Sequence, residues 1–565
     1  MEYRPEARGQ NFYRLDVNLQ RLLRRSAGQL LDQEDARLAS FGAWVGGEVD
    51  AQAEYTSRFA PPVLHTYDRD GETVNRIQYN PLYEAAHRDV YCRGIVGLNY
   101  GDDPRPFLLT FAMGYLLAQA DISIHCPVTL TGAVAYVLDR YAPKPVREKY
   151  LSGLIRMDGE AATGGTWATE LHGGSDVGAT TTVARRTPEG YALSGLKWFV
   201  SNVDSDLAVA TGRPEGAPEG SKGLGLYLVP KLLDDGTPNR VHVRRLKDKL
   251  GTRGLATGEV DLLDAHALEI APPPEGFKMM MAALEFSRIH NAVAAAGIQR
   301  RAFLEAVSYA AHREAFGDVI AAYPMVQDIL VDLAVHLEAS VALAFEAARA
   351  FDAADGEDAE HVWLRTATAL AKYHTAEQAI AAASRAIEVV GGAGYTEEYV
   401  TARLLRDAQV LTVWEGPANI QAHELLRLVG GRYRGFEAFA ARIESTLAAA
   451  EGAAGDLVAT VKAALGACRD AVESVRKTPA EGARLGRRIL HFMADTLAAA
   501  LLVEEASSDF SQGDARKLLI ARIFIDAHLA LPRSHRVAAP DSWPRHHFRR
   551  IAGYEPIEPK DVKAA

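Results

Sequence analysis

Between residues 163 and 275 the hydrophobic pattern changes period, and no other feature of the chain limits its fold as much. Residues 180–186, a Pro188-Glu189-Gly190 turn and residues 191–201 alternate apolar and polar side chains, as a hairpin does. Residues 207–211, 223–229 and 241–246 are further short runs between turn signals. No helical run separates them, so the pattern predicts an antiparallel sheet or barrel, not strands alternating with helices. On both sides the period is helical. Phe12, Leu15, Leu19, Leu22 and Leu23 fall at helix spacing, and 107–120 and 127–154 read as helices, while 60–80 reads as loop from its Pro, Asp and Gly. Beyond the strands, Val326, Ile329, Leu330, Leu333, Leu337 and Val341 make one apolar stripe. Helices over 285–311, 325–353, 360–390 and 416–429 would pack antiparallel as a bundle. The expected class is mainly α with a central β domain. It comprises an N-terminal helical domain (1–162), an antiparallel β-sheet or barrel domain (163–275), a four-helix bundle (276–430) and a helical C-terminal extension (431–565).

Several chemistries are excluded or left without support. Three cysteines (Cys92, Cys126, Cys468) make neither a disulfide framework nor a four-thiolate metal site, and they fit a reducing compartment. Gly173 to Val177 nearly spells a nucleophile elbow, but Val177 takes the place of the final glycine. There is no GxxxxGK[ST], no GxGxxG in a βαβ setting and no HExxH. The first ten residues, MEYRPEARGQ, hold no apolar leader core, and the best membrane candidate, residues 108–120, is too short to span. A cytosolic, cytoplasmic protein without a membrane partner is expected, and a formal net charge of −11 argues against a polycation overall.

What remains is a series of motifs: Trp167-Ala168-Thr169-Glu170 with Gly174-Ser175-Asp176; GLKWFVSN over 195–202; Arg313-Glu314-Ala315-Phe316-Gly317; Val389-Val390-Gly391-Gly392-Ala393-Gly394-Tyr395; and Trp414-Glu415-Gly416-Pro417-Ala418-Asn419-Ile420. In order and spacing they resemble the acyl-CoA dehydrogenase family of flavoproteins, over residues 80 to 430. The long extension, the Trp-Glu-Gly wording and residues 245–251 (RLKDKLG) resemble the AidB-like, alkylation-response subgroup. The resemblance implies FAD lying between the β domain and the bundle, in a homotetramer or dimer, with part of the dinucleotide held by a neighbouring subunit. It implies an acyl-CoA or related thioester as substrate and a place in fatty acid metabolism.

Removing hydrogens from Cα and Cβ of a thioester takes a base and a hydride acceptor, and flavin N5 supplies the second. Glu415 is the candidate base. By the resemblance, the backbone N–H of Glu415 and a flavin hydroxyl would stabilise the developing enolate, and burial against Trp414 and the flavin would strengthen the base. An isolated Glu-Gly is more often a helix N-terminal acid. Where some family members carry the base on an earlier helix, this chain has Ser287, which cannot act so. Arg288 matches an arginine near the substrate, or is a salt-bridged helix residue. By the same resemblance, Thr166, Trp167, Thr169, Ser175, Phe199 and Ser201 would meet the flavin and pyrophosphate, and Arg313, Phe316, Gly391 and Gly392 the adenine end. Trp414, Asn419 and Arg427 complete the set. Pro417, Ala315, Pro324, His172 and Gly173 depart from the family pattern, so a typical β-oxidation enzyme is not expected.

From Gly431 onward 20 lysines and arginines face 17 acidic residues. Arg484, Arg487 and Arg488 form one cluster; Arg545, His546, His547, Arg549 and Arg550, with Trp543 and Phe548, form another. The alternatives to a dehydrogenase are therefore a duplex DNA-associated flavoprotein with a vestigial site, which needs clustered cations, and an acyl-CoA oxidase. Residues 457–468 and 485–503 read as helices packing on each other or on a symmetry mate.

Overall fold

The computed structural model describes residues 7–354, 358–450, 454–530 and 547–563. They form two compact units. One holds the chain up to Gly46 together with the chain from Asn291 onward, and the other runs from Gly47 to His290. The first helix, most of the bundle and the C-terminal extension thus share one unit, and the helical and β segments from Gly47 to His290 share the other.

After α1 (Val17–Trp44), the second unit opens with α2 (Asp50–Phe59), followed by β1 (Val63–Tyr67) and β2 (Thr73–Gln78). These two strands pair antiparallel where the sequence reads as loop. Their turn was legible, since Asp68 Oδ1 accepts from the backbone of Asp70 and Glu72, but the strands are too polar to alternate clearly. Helices α3 (Pro81–Cys92), α4 (Phe107–Ala118), α5 (Ile122–Tyr141) and α6 (Lys144–Leu154) follow. The run expected to begin at Pro127 begins at Ile122, capped by Asp121, with the proline inside the helix. Proline cannot donate to the carbonyl four residues back, Ser123; the Tyr83 hydroxyl donates to it instead (3.3 Å). Among the described residues α5, not 108–120, is the one helix long and apolar enough to cross a membrane, and it is almost wholly buried in the protein.

Seven strands come next: β3 (Gly164–Trp167), β4 (Val183–Thr187), β5 (Gly190–Ser201), β6 (Leu207–Pro214), β7 (Gly225–Pro230), β8 (Val241–Leu246) and β9 (Thr257–Ala271). Pairings β6–β4–β5–β9–β7–β6 close a ring, with β3 added on β6 and β8 on β9. The barrel is mostly antiparallel, but β3 and β4 both run parallel to β6, which the hairpin pattern did not reveal. Its core is the inward set Trp167, Leu193, Val200, Ala210, Tyr227, Val260 and Leu262 with their neighbours.

In the other unit, α7 (Glu275–His312), whose first half belongs to the second unit, leads to the two-residue strands β10 (Glu314–Ala315) and β11 (Asp318–Val319). Helices α8 (Pro324–Ala353), α9 (Asp358–Val390), α10 (Val400–Leu411) and α11 (Ala418–Val429) complete the bundle, so the chain adds α10 to the four helices expected. The extension supplies α12 (Gly435–Ala449), α13 (Gly455–Lys477), α14 (Pro479–Ser511) and α15 (Arg516–Ile525), with short helices at Phe548–Ala552 and Pro559–Lys563. Helix α14 packs on α13 and also on α8, α9 and α11, so the extension is docked on its own bundle.

Charge and histidine contacts fasten this docking. Arg516 Nη2 and Lys517 Nζ reach the buried Glu338 of α8 at 2.6 and 2.5 Å. Asp495 of α14 faces His374 of α9 (3.4 Å) and His528 after α15 (3.2 Å). Arg487 meets Glu377 of α9, while Arg476–Glu437 and Arg522–Asp456 join helices within the extension. Many extension cations thus serve contacts within the chain. Of the second cluster, Trp543, Arg545 and His546 lie outside the described residues. Phe548 is buried, and Arg550 pairs with Asp561 (3.4 Å), which leaves Arg549 exposed.

Candidate active site

In the β domain the motif residues gather where β3 and β5 end. Thr166 is half-buried on β3, while the neighbouring Trp167 points into the barrel core, only 4% exposed. A cofactor contact from Trp167 is therefore confined to its main chain, because β3 alternates and this face is the packed one. Past it the chain turns sharply: Gly173 N–H donates to Glu170 O (3.0 Å), and Gly173 adopts φ +141°. Thr169 lies against Gly174, and its carbonyl accepts from Trp198 N–H (3.0 Å), which ties this loop to β5. Ser175 is exposed at the loop tip.

On β5 the register shifts between Lys197 and Val200, which buries both of these and leaves Phe199 between them 58% exposed. Lys247 Nζ stands 3.5 Å from the centroid of Trp198 and 4.9 Å from that of Phe199. Of these two rings, then, neither is a barrel-core residue. Ser201, half-buried, shares a hydroxyl hydrogen bond with Thr257 (3.2 Å). An exposed aromatic ring with hydroxyls one step along the strand fits the flat, polar-edged ring of a flavin.

Two residues inside these motifs carry a role that sequence reasoning missed. Lys197, fully buried, donates from Nζ to Glu170 Oε1 (2.9 Å) and to Thr211 O (2.8 Å). Glu170 also accepts from the backbone and hydroxyls of Thr181 and Thr182. Burial opposes the Glu170 charge, but the Lys197 ammonium and these donors outweigh it and hold the carboxyl down to about 2. The signal was a lysine at an inward position of a strand, between Leu196 and Trp198. Removing one partner of such a pair costs about 3–5 kcal/mol. Lys197→Met is thus expected to lower the thermal midpoint of the whole protein by several degrees; an unchanged melting curve would refute the assignment.

In the helical unit, a cavity of about 390 Å³ is lined by Tyr309, Arg313, Ile320 and residues 389–393. Gly391 (φ +74°) and Gly392 have no atom within 4 Å of where a Cβ would stand, so side chains there would project into open space. Arg313, Gly391 and Gly392, far apart in sequence, meet here, and a cation beside bare backbone fits a phosphate-bearing ligand. Phe316 tops the β10–β11 hairpin at φ +55° with Gly317 at +96°, and its ring is 99% exposed.

Glu415 lies between α10 and α11 at φ +58°, followed by Gly416 at +91°. A left-handed conformation costs a non-glycine residue about 1–2 kcal/mol, so it persists only where the surroundings impose it. Gln421 Nε2 donates to both carbonyls of this turn, Glu415 O and Gly416 O, at 3.0 Å each, and Lys372 Nζ of α9 donates to Gly416 O at 2.8 Å. A Cβ on Gly416 would stand 2.9 Å from Ile420 Cγ2, which fixes glycine there. Glu415 Oε2 is out of solvent. Trp414, half-buried, donates its N–H to Val410 O (2.9 Å) as α10 closes. Asn419 is exposed in the first turn of α11, behind Pro417 at its N-cap; Pro324 likewise starts α8. Both departures sit where proline suits a helix start.

Two candidates also form ion pairs along their own helices. Arg427 pairs with Glu424 (2.6 Å) and lies over Tyr433. In the second unit Arg288 is buried with Nη1 3.4 Å from Glu285 Oε2, the salt-bridged helix alternative, and Ser287 Oγ caps Ala283 O.

Residues 165–265 match the family model "Acyl-CoA dehydrogenase, middle domain" and 274–429 match "Acyl-CoA dehydrogenase, C-terminal domain". The chain is 33% identical over 456 residues to Caenorhabditis elegans acyl-CoA dehydrogenase family member 11, spanning 77% of this chain and 73% of that one. The chain belongs to the acyl-CoA dehydrogenase family. It is an oxidoreductase of the class acting on a CH–CH bond, and the cofactor of its family is FAD. Within the family it is AidB-like: residues 3–158 match "Adaptive response protein AidB N-terminal domain". It is 32% identical to the Escherichia coli (strain K12) putative acyl-CoA dehydrogenase AidB over 69% of this chain and 73% of that protein. The crystal structure of Caenorhabditis elegans ACDH-11 in complex with C11-CoA superposes with a TM-score of 0.87 at 29% identity, covering 96% of both chains.

Proposed function

We propose that this acyl-CoA dehydrogenase family member desaturates an acyl-CoA between Cα and Cβ, with Glu415 as the base. The observation that carries the reading is the imposed left-handed turn, which fixes one carboxylate with an oxygen out of solvent. Glu415 takes the α proton, and its backbone N–H is placed to donate to the thioester oxygen as charge develops there. FAD, when bound, supplies the acceptor for the β hydrogen, which leaves with its electron pair. Phe199, Ser201, Thr169 and Ser175 are the residues that would meet its ring and pyrophosphate, and Arg313, Gly391 and Gly392 are those that would hold the adenine end of a dinucleotide shared with a neighbouring subunit. The ACDH-11 relative, solved with C11-CoA, supports a medium-length acyl chain as a first probe. The fully exposed Phe316 supports a homo-oligomer in which this ring is covered.

Undecanoyl-CoA added without oxygen to the yellow protein is expected to bleach the flavin and yield the 2-enoyl thioester in equal amount. A protein that keeps its colour with every acyl-CoA of graded length would overturn the reading, and peroxide formed in air at the turnover rate would make it an oxidase. Phe199→Ala, which removes an exposed ring without touching the core, is expected to lower the flavin-to-protein ratio after gel filtration at least twofold. An unchanged ratio would remove Phe199 from the flavin site.

A further inference from the structure

We infer that Lys372, which no motif of the sequence points to, is a positioning residue for this reaction: from α9 its ammonium holds the Glu415–Gly416 turn in the left-handed form that aims the base. The inference rests on the proposed role of Glu415. Lys372 stands in an otherwise apolar stretch of α9, ATALAKY over 367–373, and is only 1% exposed. Keeping an ammonium there is costly, so a lysine buried this deeply is retained where it has a task. Its geometry supplies one. Nζ is 2.8 Å from Gly416 O, one residue past the base, and reaches the turn from α9, while Gln421 grips the Glu415 and Gly416 carbonyls from α11. Two helices thus clamp one turn, and the lysine's bond is the charge-assisted, stronger one. The Glu415 backbone sits at φ +58° and Gly416 at +91°, so loss of one clamp lets Glu415 relax to an ordinary conformation that swings its side chain away. A small misplacement of a catalytic group lowers rate far more than it lowers binding.

The test compares wild type, Lys372→Met, Lys372→Gln, Lys372→Arg and Glu415→Gln as holoproteins, with undecanoyl-CoA as the probe. Anaerobic flavin reduction gives a limiting rate and a half-saturating concentration, and hydrogen exchange of the 412–421 peptide reports on the turn, with and without flavin. For Lys372→Met the expected limiting rate is about 10- to 100-fold lower, with half-saturation within twofold and flavin content unchanged. Its turn amides should exchange at least tenfold faster, and Arg should recover part of the rate while Gln recovers less. If the Met variant does not fold, Gln against Arg decides by the same order. Rates within twofold of wild type overturn the inference, as does a lower rate with unchanged exchange, or faster exchange with an unchanged rate. Glu415→Gln separates the two readings. If it reduces flavin normally, the base assignment fails, whereas the exchange data still judge the clamp.

Discussion

Glu415→Gln is expected to slow anaerobic flavin reduction by about 10²–10⁴-fold, the range that a positioned general base contributes. The substitution is nearly isosteric, and the bonds from Gln421 and Lys372 go to the backbone carbonyls of Glu415 and Gly416, which Gln leaves in place. Binding of FAD and of acyl-CoA should therefore survive, as should the melting temperature, so the loss falls on the limiting rate alone. Stopped-flow absorbance with undecanoyl-CoA reads that rate directly. A variant that still reduces its flavin within tenfold of wild type would move the base elsewhere in the chain. Glu415→Asp offers a graded check: the carboxylate is kept but drawn back by one methylene, and an intermediate rate is expected.

How far the sequence carried this picture differs between elements. The barrel was legible because β5 mixes buried apolar residues with exposed ones over a strand-length run. The register shifts at Leu193/Ser194 and Lys197/Val200, which bring the oddly spaced Leu193 and Val200 both into the core and leave Phe199 outside, were not. The long bundle helices were legible because their apolar stripes run for many turns. Helix α10 was missed because its buried face mixes Arg403 and Asp407 with Leu404, Ala408 and Leu411, so no clean apolar stripe marks it. The start of α5 was misread because proline signals a boundary, and only Tyr83, some forty residues earlier, makes it tolerable inside the helix. Residues of the site were found through motifs, which record identity and spacing but not contact. The Arg313–Gly391–Gly392 cavity needed the fold to assemble it. Glu170 and Lys197 stood inside quoted motifs, yet their pairing depends on β5 crossing the start of the Thr169–Ser175 loop. Arg427, expected at the cofactor, also pairs with Glu424 one helix turn back, a contact that the motif does not record. Parallel pairing of β3 and β4 with β6 is a long-range choice that alternation does not encode.

The largest stability effect is expected where the extension docks. Glu338 on α8 is fully buried and accepts from Arg516 (2.6 Å) and Lys517 (2.5 Å); Lys517 also reaches Glu505 (2.8 Å) and Asn18 Oδ1 (2.6 Å). Burial opposes the Glu338 charge, yet the two cations outweigh it and bring its carboxyl down to about 2 from an ordinary value of 4.5. A carboxyl depressed on folding stabilises the native state above its unfolded value, and that contribution fades as pH falls toward the folded one. For Glu338 it is worth about 3 kcal/mol at neutral pH, is complete above roughly pH 5, and is lost between there and pH 2. Glu338→Ala removes it at every pH and leaves Arg516 and Lys517 short of a buried partner, which raises the expected cost to about 3–5 kcal/mol. Denaturation of the variant should therefore begin with release of α14 and α15, read as earlier protease cleavage after Arg516 or Arg522 than in wild type. Its stability should also fall less steeply than wild type between pH 5 and pH 3. A variant equal to wild type in urea midpoint at pH 7, or with the same acid slope, would mean that Glu338 does not hold the extension to the bundle.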